Sequence, residues 1–370
     1  MPEIKIPQEL IPQDGRFGCG PSRMRREQLE AFALAGAKLM GTSHRQAPIR
    51  NLVAEIQDGL LDLFGNPDGY EIALGNGGST AFWDVAAYSL AEGPSQALVH
   101  GEFGAKFANA LAAPFLEKPE VIQGEAGSRR ELVGKPGVKT YVYPQNETST
   151  GVVTPVKRVA ADSDAIFLTD ATSAAGGIFF DANQTDVYYF APQKNFASDG
   201  GLWLALLSPL AIERVEKIAK SDRYIPEFLS LKIALDNSRL NQTLNTPALA
   251  TLFLLNEQVK YLNSSGGLHW ADQQTKKASD VVYDWISRTG YVECFVADEA
   301  HRSQVVVTMD FDNNIDAAEI AKVLRQNGIV DTDPYRKLGR NQLRIATFVN
   351  SDLVDLEKLT KAIEYVVERL

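Results

Sequence analysis

Between about residues 70 and 220 the chain alternates short apolar runs with stretches of helical period, and no other feature narrows its fold as much. Apolar, aromatic or β-branched runs over 71–74, 97–100, 140–143, 165–169, 187–190 and 202–207 read as short strands. The first is followed by a glycine turn and an apolar-rich helix over about 79–91. Strands separated by helical crossovers pair in parallel, and such a sheet needs cover on both faces. The expectation is an α/β domain with a mostly parallel sheet covered by helices on both faces.

The pattern changes after about residue 260. Ser264-Ser265-Gly266-Gly267 punctuates the chain, and a long helix over 270–287 follows. Strands over 305–311 and 343–348 alternate with a helix over 317–326, for which Asn327-Gly328 supplies a C-cap. Leu353, Leu356, Leu359, Ile363, Val366 and Leu370 then recur at helical spacing. The division expected is an N-terminal arm over 1–20 packed on the smaller domain, a large domain over 21–260, and a smaller C-terminal α+β domain over 261–370. The joint falls near 240–270. A ligand would sit between the domains or outside the carboxyl ends of the strands.

A length of 370 residues allows two or three domains and a sizeable core without covalent staples. The net charge of −10 disfavours nucleic acid or an anionic membrane as partner, so an anionic ligand needs a local cationic cluster. Cys19 and Cys294 are too few for a disulfide framework or a thiolate cage, which suits a reducing cytoplasm. Residues 1–15 lack the apolar segment of a signal peptide, and no run of about 18 apolar residues occurs, so a soluble protein is expected. His44, His100, His269 and His301 show no metal-ligand spacing, and neither H-E-x-x-H nor G-x-S-x-G is present.

Ala191-Pro192-Gln193-Lys194-Asn195-Phe196 follows the run at 187–190. A lysine just past the carboxyl end of a buried parallel strand stands where α/β proteins bind ligands. Partial desolvation lowers its pKa and frees a neutral amine, which can form a Schiff base with an aldehyde. Taken alone, a loop lysine is usually solvated and does no chemistry. Asp170 alters the weighing, since it ends the run at 165–169 and would point into the same crevice. A carboxylate there keeps a pyridine nitrogen protonated, and the charged ring is the electron sink of pyridoxal phosphate chemistry. By itself Asp170 also suits the cap of Ala171-Thr172-Ser173. The third element is Gly75-Asn76-Gly77-Gly78-Ser79-Thr80, whose free amides at a helix start would bind phosphate. The dinucleotide fingerprint would need glycine where Thr80 stands, and the P-loop spacing is absent.

The Gly-Ser-Thr loop, Asp170 and Lys194, in this order, resemble the class V, fold-type I pyridoxal-phosphate enzymes. The closer likeness is to the phosphoserine aminotransferases of the actinobacterial branch. It runs over essentially the whole chain, from Gly20-Pro21-Ser22 to Leu343-Arg344-Ile345-Ala346-Thr347, through Ser43-His44-Arg45, Tyr143-Pro144-Gln145-Asn146-Glu147-Thr148 and Asn245-Thr246-Pro247. The resemblance implies that Lys194 binds the cofactor aldehyde and Asp170 its ring nitrogen. It implies stacking by Phe103, where relatives often carry tryptophan, and contact of Thr148 near the ring hydroxyl. Ser79, Thr80 and Gln193 would hold the phosphate. Asn245 and Thr246 would reach it from a second subunit, which implies a homodimer with shared sites. His44, Arg45, Arg336 and Arg344 match anion-binding positions, Tyr335-Arg336 standing where many relatives have His-Arg.

The activity so implied is amino-group transfer from glutamate to 3-phosphohydroxypyruvate, giving phosphoserine and 2-oxoglutarate for serine biosynthesis. A phosphorylated hydroxythreonine of vitamin B6 synthesis would fit the same pocket. Four other readings are weighed beside it. A cysteine desulfurase would need an exposed nucleophile, and Cys294 lies in a strand-like apolar context. An alanine–glyoxylate transaminase would share the cofactor residues. A nicotinamide oxidoreductase meets the objection of Thr80, and a non-catalytic cofactor-binding regulator would fail a multiple-turnover assay.

Overall fold

The structure, a computed structural model, describes residues 4–370. Helices α1 (Arg26–Leu34) and α2 (Ala47–Leu63) precede the first strand. There follow β1 (Glu71–Asn76), α3 (Ser79–Ser89), β2 (Ser95–Val99), α4 (Glu102–Ala110), β3 (Glu120–Gln123) and β4 (Thr140–Pro144). The short pair β5 (Asn146–Glu147) and β6 (Val152–Val153) leads to β7 (Ile166–Asp170), β8 (Val187–Phe190), β9 (Leu202–Leu207), α5 (Pro209–Ala219), α6 (Leu231–Arg239) and α7 (Leu249–Ser264). Each of the six runs expected to be extended forms a strand, with ends displaced by a residue or two; His100, for instance, lies beyond β2.

Seven strands form the main sheet in the order β1-β9-β8-β7-β4-β2-β3. Every neighbouring pair is parallel except the two that involve β9, so the sheet is mostly parallel with one reversed strand. Side chains alternate between faces, as the period of a strand requires. Ala97, Val142, Ile166 and Leu168 join Phe82, Phe107, Val215 and Leu235 of the helices on one face. On the other face α2 and α7 cover the β1-β9-β8 half, packing Ile56, Leu60, Leu252 and Val259 against Leu74, Phe190 and Leu204.

Helical cover is not complete. Over β7, β4 and β2 on that second face, Leu98, Tyr141, Tyr143 and Phe167 pack with Ile122 of β3 and with Leu132, Val138, Val159 and Ala165 from irregular segments. A thinner core results there, where helices on both faces were expected throughout.

The remainder comprises α8 (Gly267–Arg288), β10 (Val292–Cys294), β11 (Val306–Phe311), α9 (Ala317–Gln326), β12 (Gln342–Ala346) and α10 (Leu353–Val367). Strands β10, β11 and β12 form a separate antiparallel sheet. Their apolar face packs with α8, α9 and α10 around Val307, Met309, Leu343, Trp285, Ile320 and Leu359. Ile6 and Phe17 of the N-terminal arm are buried in this same core, each contributing about 1.5–3 kcal/mol by burial. The arm is also pinned by backbone bonds from Phe17 to Val330 and from Ala346 to Phe17. A division at 260/261 falls inside α7. That helix turns directly into α8 at Gly266, whose φ of +118° is a conformation that side chains rarely adopt.

Candidate active site

The carboxyl ends of β7 and β8 set the centre of the site. Asp170 ends β7 opposite Tyr189 of β8, and Lys194 follows Phe190 by four residues. The ammonium of Lys194 donates to the carbonyl of Cys19. Protein atoms crowd around Lys194, and this desolvation lowers its pKa to about 8; Arg344 pushes the same way, while Cys19 and Asp170 oppose. A solvated lysine titrates near 10.4. The lysine loop is clasped by residues 20–22. Ser22 donates its amide to Gln193 O at 2.9 Å and its hydroxyl to Lys194 O. Gly20 has a φ of +125°, and a Cβ there would stand 2.2 Å from Lys194 Nζ, so only glycine lets the lysine pass.

Asp170 is 5% exposed and held through both oxygens. Its Oδ1 accepts from the amide and hydroxyl of Thr172 at 2.9 and 2.5 Å, and its Oδ2 from Trp83 Nε1 at 3.2 Å. Three donors hold the carboxylate in one orientation. Trp83 lies one turn beyond Ser79 on α3, so the helix that starts at the glycine loop also supplies a partner for Asp170. Sequence reasoning missed Trp83 and Thr172; the spacing of Trp83 from Ser79 is the one signal available.

At the start of α3, Gly78, Ser79 and Thr80 line a cavity of about 160 Å³ together with Gln193, Asp170, Asn146, Thr148, Phe103 and Lys194. No side chain caps this helix, so its first amides are free for an anion. Gln193 Oε1 is buried there without a hydrogen-bond partner.

Phe103 belongs to the first turn of α4, and β5 fixes that turn. The enclosed carboxylate of Glu147 accepts from Gly104 N at 2.9 Å, Phe103 N at 3.4 Å and Ser149 Oγ at 2.6 Å. Burial raises the pKa of Glu147, and these donors oppose the rise. The next residue, Thr148, gives its carbonyl to Arg344 Nη1 at 2.9 Å. Arg344 also stands over the ring of Tyr335, 5.6 Å from its centre, and its Nε is buried without a partner. Tyr335 in turn meets Phe103 edge to face at 5.7 Å. Phe103, Tyr335 and Arg344 thus support one another across the gap between the main sheet and the C-terminal unit. Glu147 was quoted within a sequence motif, but its capping of α4 was not foreseen.

A second hollow of about 660 Å³ adjoins the first through Lys194, Phe103 and Thr148. Arg336 and Arg344 line it, with Cys19, Gly20, Tyr335, Arg325, Asp331 and Asp333. Arg336 is exposed and makes no hydrogen bond or ion pair among the described residues. Arg325 pairs with Asp333 at 2.6 Å and Asp331 at 3.6 Å, which neutralises the two carboxylates at the mouth.

Four expected residues lie elsewhere. His44 Nδ1 contacts Thr246 Oγ1 at 3.2 Å, Arg45 bonds Gln242 at 2.7 Å, and Asn76 bonds Thr246 O at 3.1 Å. His44, Arg45, Asn245 and Thr246 line neither hollow of their own chain. Desolvation and Arg45 both lower the pKa of His44. Cys294 is half-buried in β10, and burial raises its pKa, so it is a poor nucleophile. The cysteine at the site is Cys19, which acts through its backbone.

A desolvated lysine, a fixed carboxylate lining the same cavity, an aromatic wall and the free amides of a helix start fit a phosphorylated pyridine aldehyde. The arginine-lined hollow beside them fits an anionic substrate.

Comparison with known proteins agrees. The family model "Aminotransferase class-V" matches residues 26–332. A phosphoserine aminotransferase of a Nocardioides species is 54% identical, over 99% of each chain. That of Rhodococcus jostii is 54% identical over 99% of this chain and 98% of its own. In fold, the phosphoserine aminotransferase of Cytophaga hutchinsonii superposes with a TM-score of 0.85 at 23% identity, over 96% of this chain and 98% of its own. A phosphoserine aminotransferase of Trichomonas vaginalis, solved with pyridoxal phosphate bound, does so with a TM-score of 0.80 at 18% identity, over 95% and 100%. The chain belongs to the class-V aminotransferases, in the branch of the phosphoserine aminotransferases.

Proposed function

We propose that this enzyme transfers an amino group reversibly between glutamate and 3-phosphohydroxypyruvate, forming phosphoserine and 2-oxoglutarate. The observation that carries the reading is Arg344: a guanidinium held by Thr148 O and the face of Tyr335, with a buried unspent Nε, in the hollow that Lys194 also lines. Arginine grips carboxylates bidentately, each charge-assisted bond being worth about 1.5–3 kcal/mol. Relatives more than half identical carry the name of that activity.

Pyridoxal phosphate, when bound, supplies the electron sink for the pair released as the substrate's Cα–H bond breaks. Ser79, Thr80, Gln193 and the free amides of α3 hold its phosphate. Phe103 and Thr148 position the ring, and Asp170 keeps its nitrogen protonated. Lys194 would hold the aldehyde. Its neutral Nζ would take the proton from the substrate Cα as a general base. A pKa near 8 places that amine close to the working pH. Arg344 holds the carboxylate of either substrate, while Arg336 takes the second acidic group.

The active unit in this reading is a homodimer. His44, Arg45, Asn245 and Thr246 complete the neighbouring chain's site, reaching phosphate groups that their own chain does not offer them. Cytoplasmic reducing conditions suit the free thiol of Cys19. The hollow of about 660 Å³ also has room for the one-carbon-longer 3-hydroxy-2-oxo-4-phosphonooxybutanoate of vitamin B6 synthesis. The test is a coupled assay of glutamate with 3-phosphohydroxypyruvate, the longer keto acid and glyoxylate as acceptors. Preference for a phosphorylated acceptor supports the reading; preference for glyoxylate overturns it.

A further inference from the structure

The chain between α9 and β12 leaves the C-terminal unit and lies against the start of α4. Tyr335 and Lys337 of this segment meet Phe103 and Glu102, the first two residues of that helix. The Lys337 ammonium pairs with the Glu102 carboxylate. The rings of Tyr335 and Phe103 stand 5.7 Å apart with 62° between their planes, an arrangement that aromatic pairs favour.

The ring of Tyr335 has a second neighbour. The guanidinium of Arg344 on β12 lies 5.6 Å from its centre, within the range where a cation is drawn to an aromatic face. Arg344 is otherwise held by one bond to Thr148 O at 2.9 Å, and its Nε is buried without a partner. Phe103 is half-buried and lines both hollows, whereas Arg344 lines only the larger. Tyr335 thus stands between a wall of the cofactor slot and the arginine that faces the substrate's carboxylate.

This placement links the two hollows. A cofactor ring packed on Phe103 restrains Phe103, and through the edge-on contact it restrains Tyr335. Arg344 is then steadied before an anion arrives, so less freedom is lost when the carboxylate binds. Linkage makes the effect reciprocal: a carboxylate on Arg344 tightens the hold on the cofactor by the same factor.

Resting on the transaminase reading, we propose that Tyr335 is a positioning residue, whose ring ties the grip of Arg344 on the substrate carboxylate to the seating of the cofactor on Phe103.

The experiment titrates pyridoxal phosphate into the cofactor-free full-length protein, read by the absorbance of the Lys194-bound cofactor, with and without saturating glutarate. Glutarate carries two carboxylates and can neither give nor accept an amino group; calorimetry on the loaded protein fixes its saturating concentration. In the wild type glutarate tightens cofactor binding about fivefold. Tyr335→Phe keeps the ring and keeps that factor. Tyr335→Ala removes the ring, and the factor falls to about one. Tyr335→Leu, which retains apolar bulk on this surface segment but has no π face for Arg344, gives the same result if the alanine protein does not fold. A ring that only filled space would weaken cofactor binding equally with and without glutarate; a factor that survives in the alanine and leucine proteins overturns the proposal. So does a wild-type factor of one, or a phenylalanine protein that behaves as the alanine one. Wild-type protein that takes up no pyridoxal phosphate, or loaded protein that binds no glutarate, overturns the transaminase reading and this proposal with it.

Discussion

The walls around Lys194 and the patch around Thr246 are built in opposite ways. Around Lys194 three charged groups are each held by more than one neighbour: Asp170 by Thr172 and Trp83, Glu147 by α4 and Ser149, Arg344 by Thr148 and Tyr335. Around Thr246, His44 and Arg45 each have a single side-chain partner, and His44 Nε2 is buried without one. Groups that act on a bond must be fixed before the substrate arrives, because misplacement costs rate directly. Groups that complete a neighbour's site can stay loosely held until the chains meet. In the proposed dimer, the firmly held groups are those that serve the chain's own site, and the loosely held ones are those that would reach the neighbour's.

The largest effect expected is from Lys194→Ala. Loss of the amine removes both aldehyde capture and the base, so turnover falls by at least about 10⁴-fold. The yellow colour of the purified protein disappears with it. A variant that keeps near-normal turnover breaks the assignment. Arg344→Ala removes one bidentate contact and leaves the phosphate cradle intact. Its kcat/KM falls by about 10²-fold, for a loss of some 3 kcal/mol, while cofactor retention in dialysis is unchanged. Equal loss of both would place Arg344 among the structural supports.

The lowered pKa of Lys194 gives a test that does not depend on turnover. Since burial favours the neutral amine, its reactivity appears above about pH 8, where a solvated lysine is still protonated. Acetylation of the apoprotein, read by peptide mass spectrometry, should rise about tenfold at Lys194 between pH 7 and 9 and then level off. A solvated lysine would keep rising past pH 9. A Lys194 profile that does the same would mean that the amine is solvated.

A smaller but more pointed effect follows from mixing. Dimers of Lys194→Ala and of Arg45→Ala are each impaired at both sites. If Arg45 serves the partner's site, random exchange makes half the dimers hybrid, and each hybrid keeps one intact site. About a quarter of wild-type activity should then return. If Arg45 serves its own chain, the hybrids hold one Lys194→Ala site and one Arg45→Ala site, and nothing is gained over the average of the parents.

Much of the ring-holding wall was legible in the sequence, because it depends on local order. Asp170 and Lys194 follow β-branched and aromatic runs, and the ends of adjacent parallel strands bring them together without further information. The glycine loop before α3 is legible for the same reason. What was not legible depends on contacts distant in sequence. Trp83 serves Asp170 across 87 positions, and Glu147 caps a helix that begins 45 residues earlier. Helix α7 is buried on nearly all sides, as a joint expected near 240–270 would not be, and so it shows no apolar stripe to read. The reversal of β9 is likewise hidden, although the segment between Phe190 and Leu202 holds no helix for a parallel crossover. The bare face over β4 follows from the irregular chain at 124–139, whose apolar residues carry no period.

The smallest effect concerns the mouth of the arginine-lined hollow, and it sharpens the contrast between fixed and loosely held charge. Arg325 is about half exposed and pairs with Asp333 and Asp331, so its contribution to stability is slight. Its effect on the substrate is different, because it cancels two carboxylates on the entry path of an anion. Arg325→Ala should leave Tm and kcat unchanged and raise KM for the phosphorylated keto acid by about two- to fivefold at low salt. Salt screens exposed charges, so the difference from wild type should shrink as ionic strength rises. Glutamate, with less negative charge, should be affected less. A KM that rises equally for both substrates, and at every salt concentration, would mean that Arg325 shapes the 331–333 backbone instead of its field. The mouth would then belong with the rigid wall around Lys194.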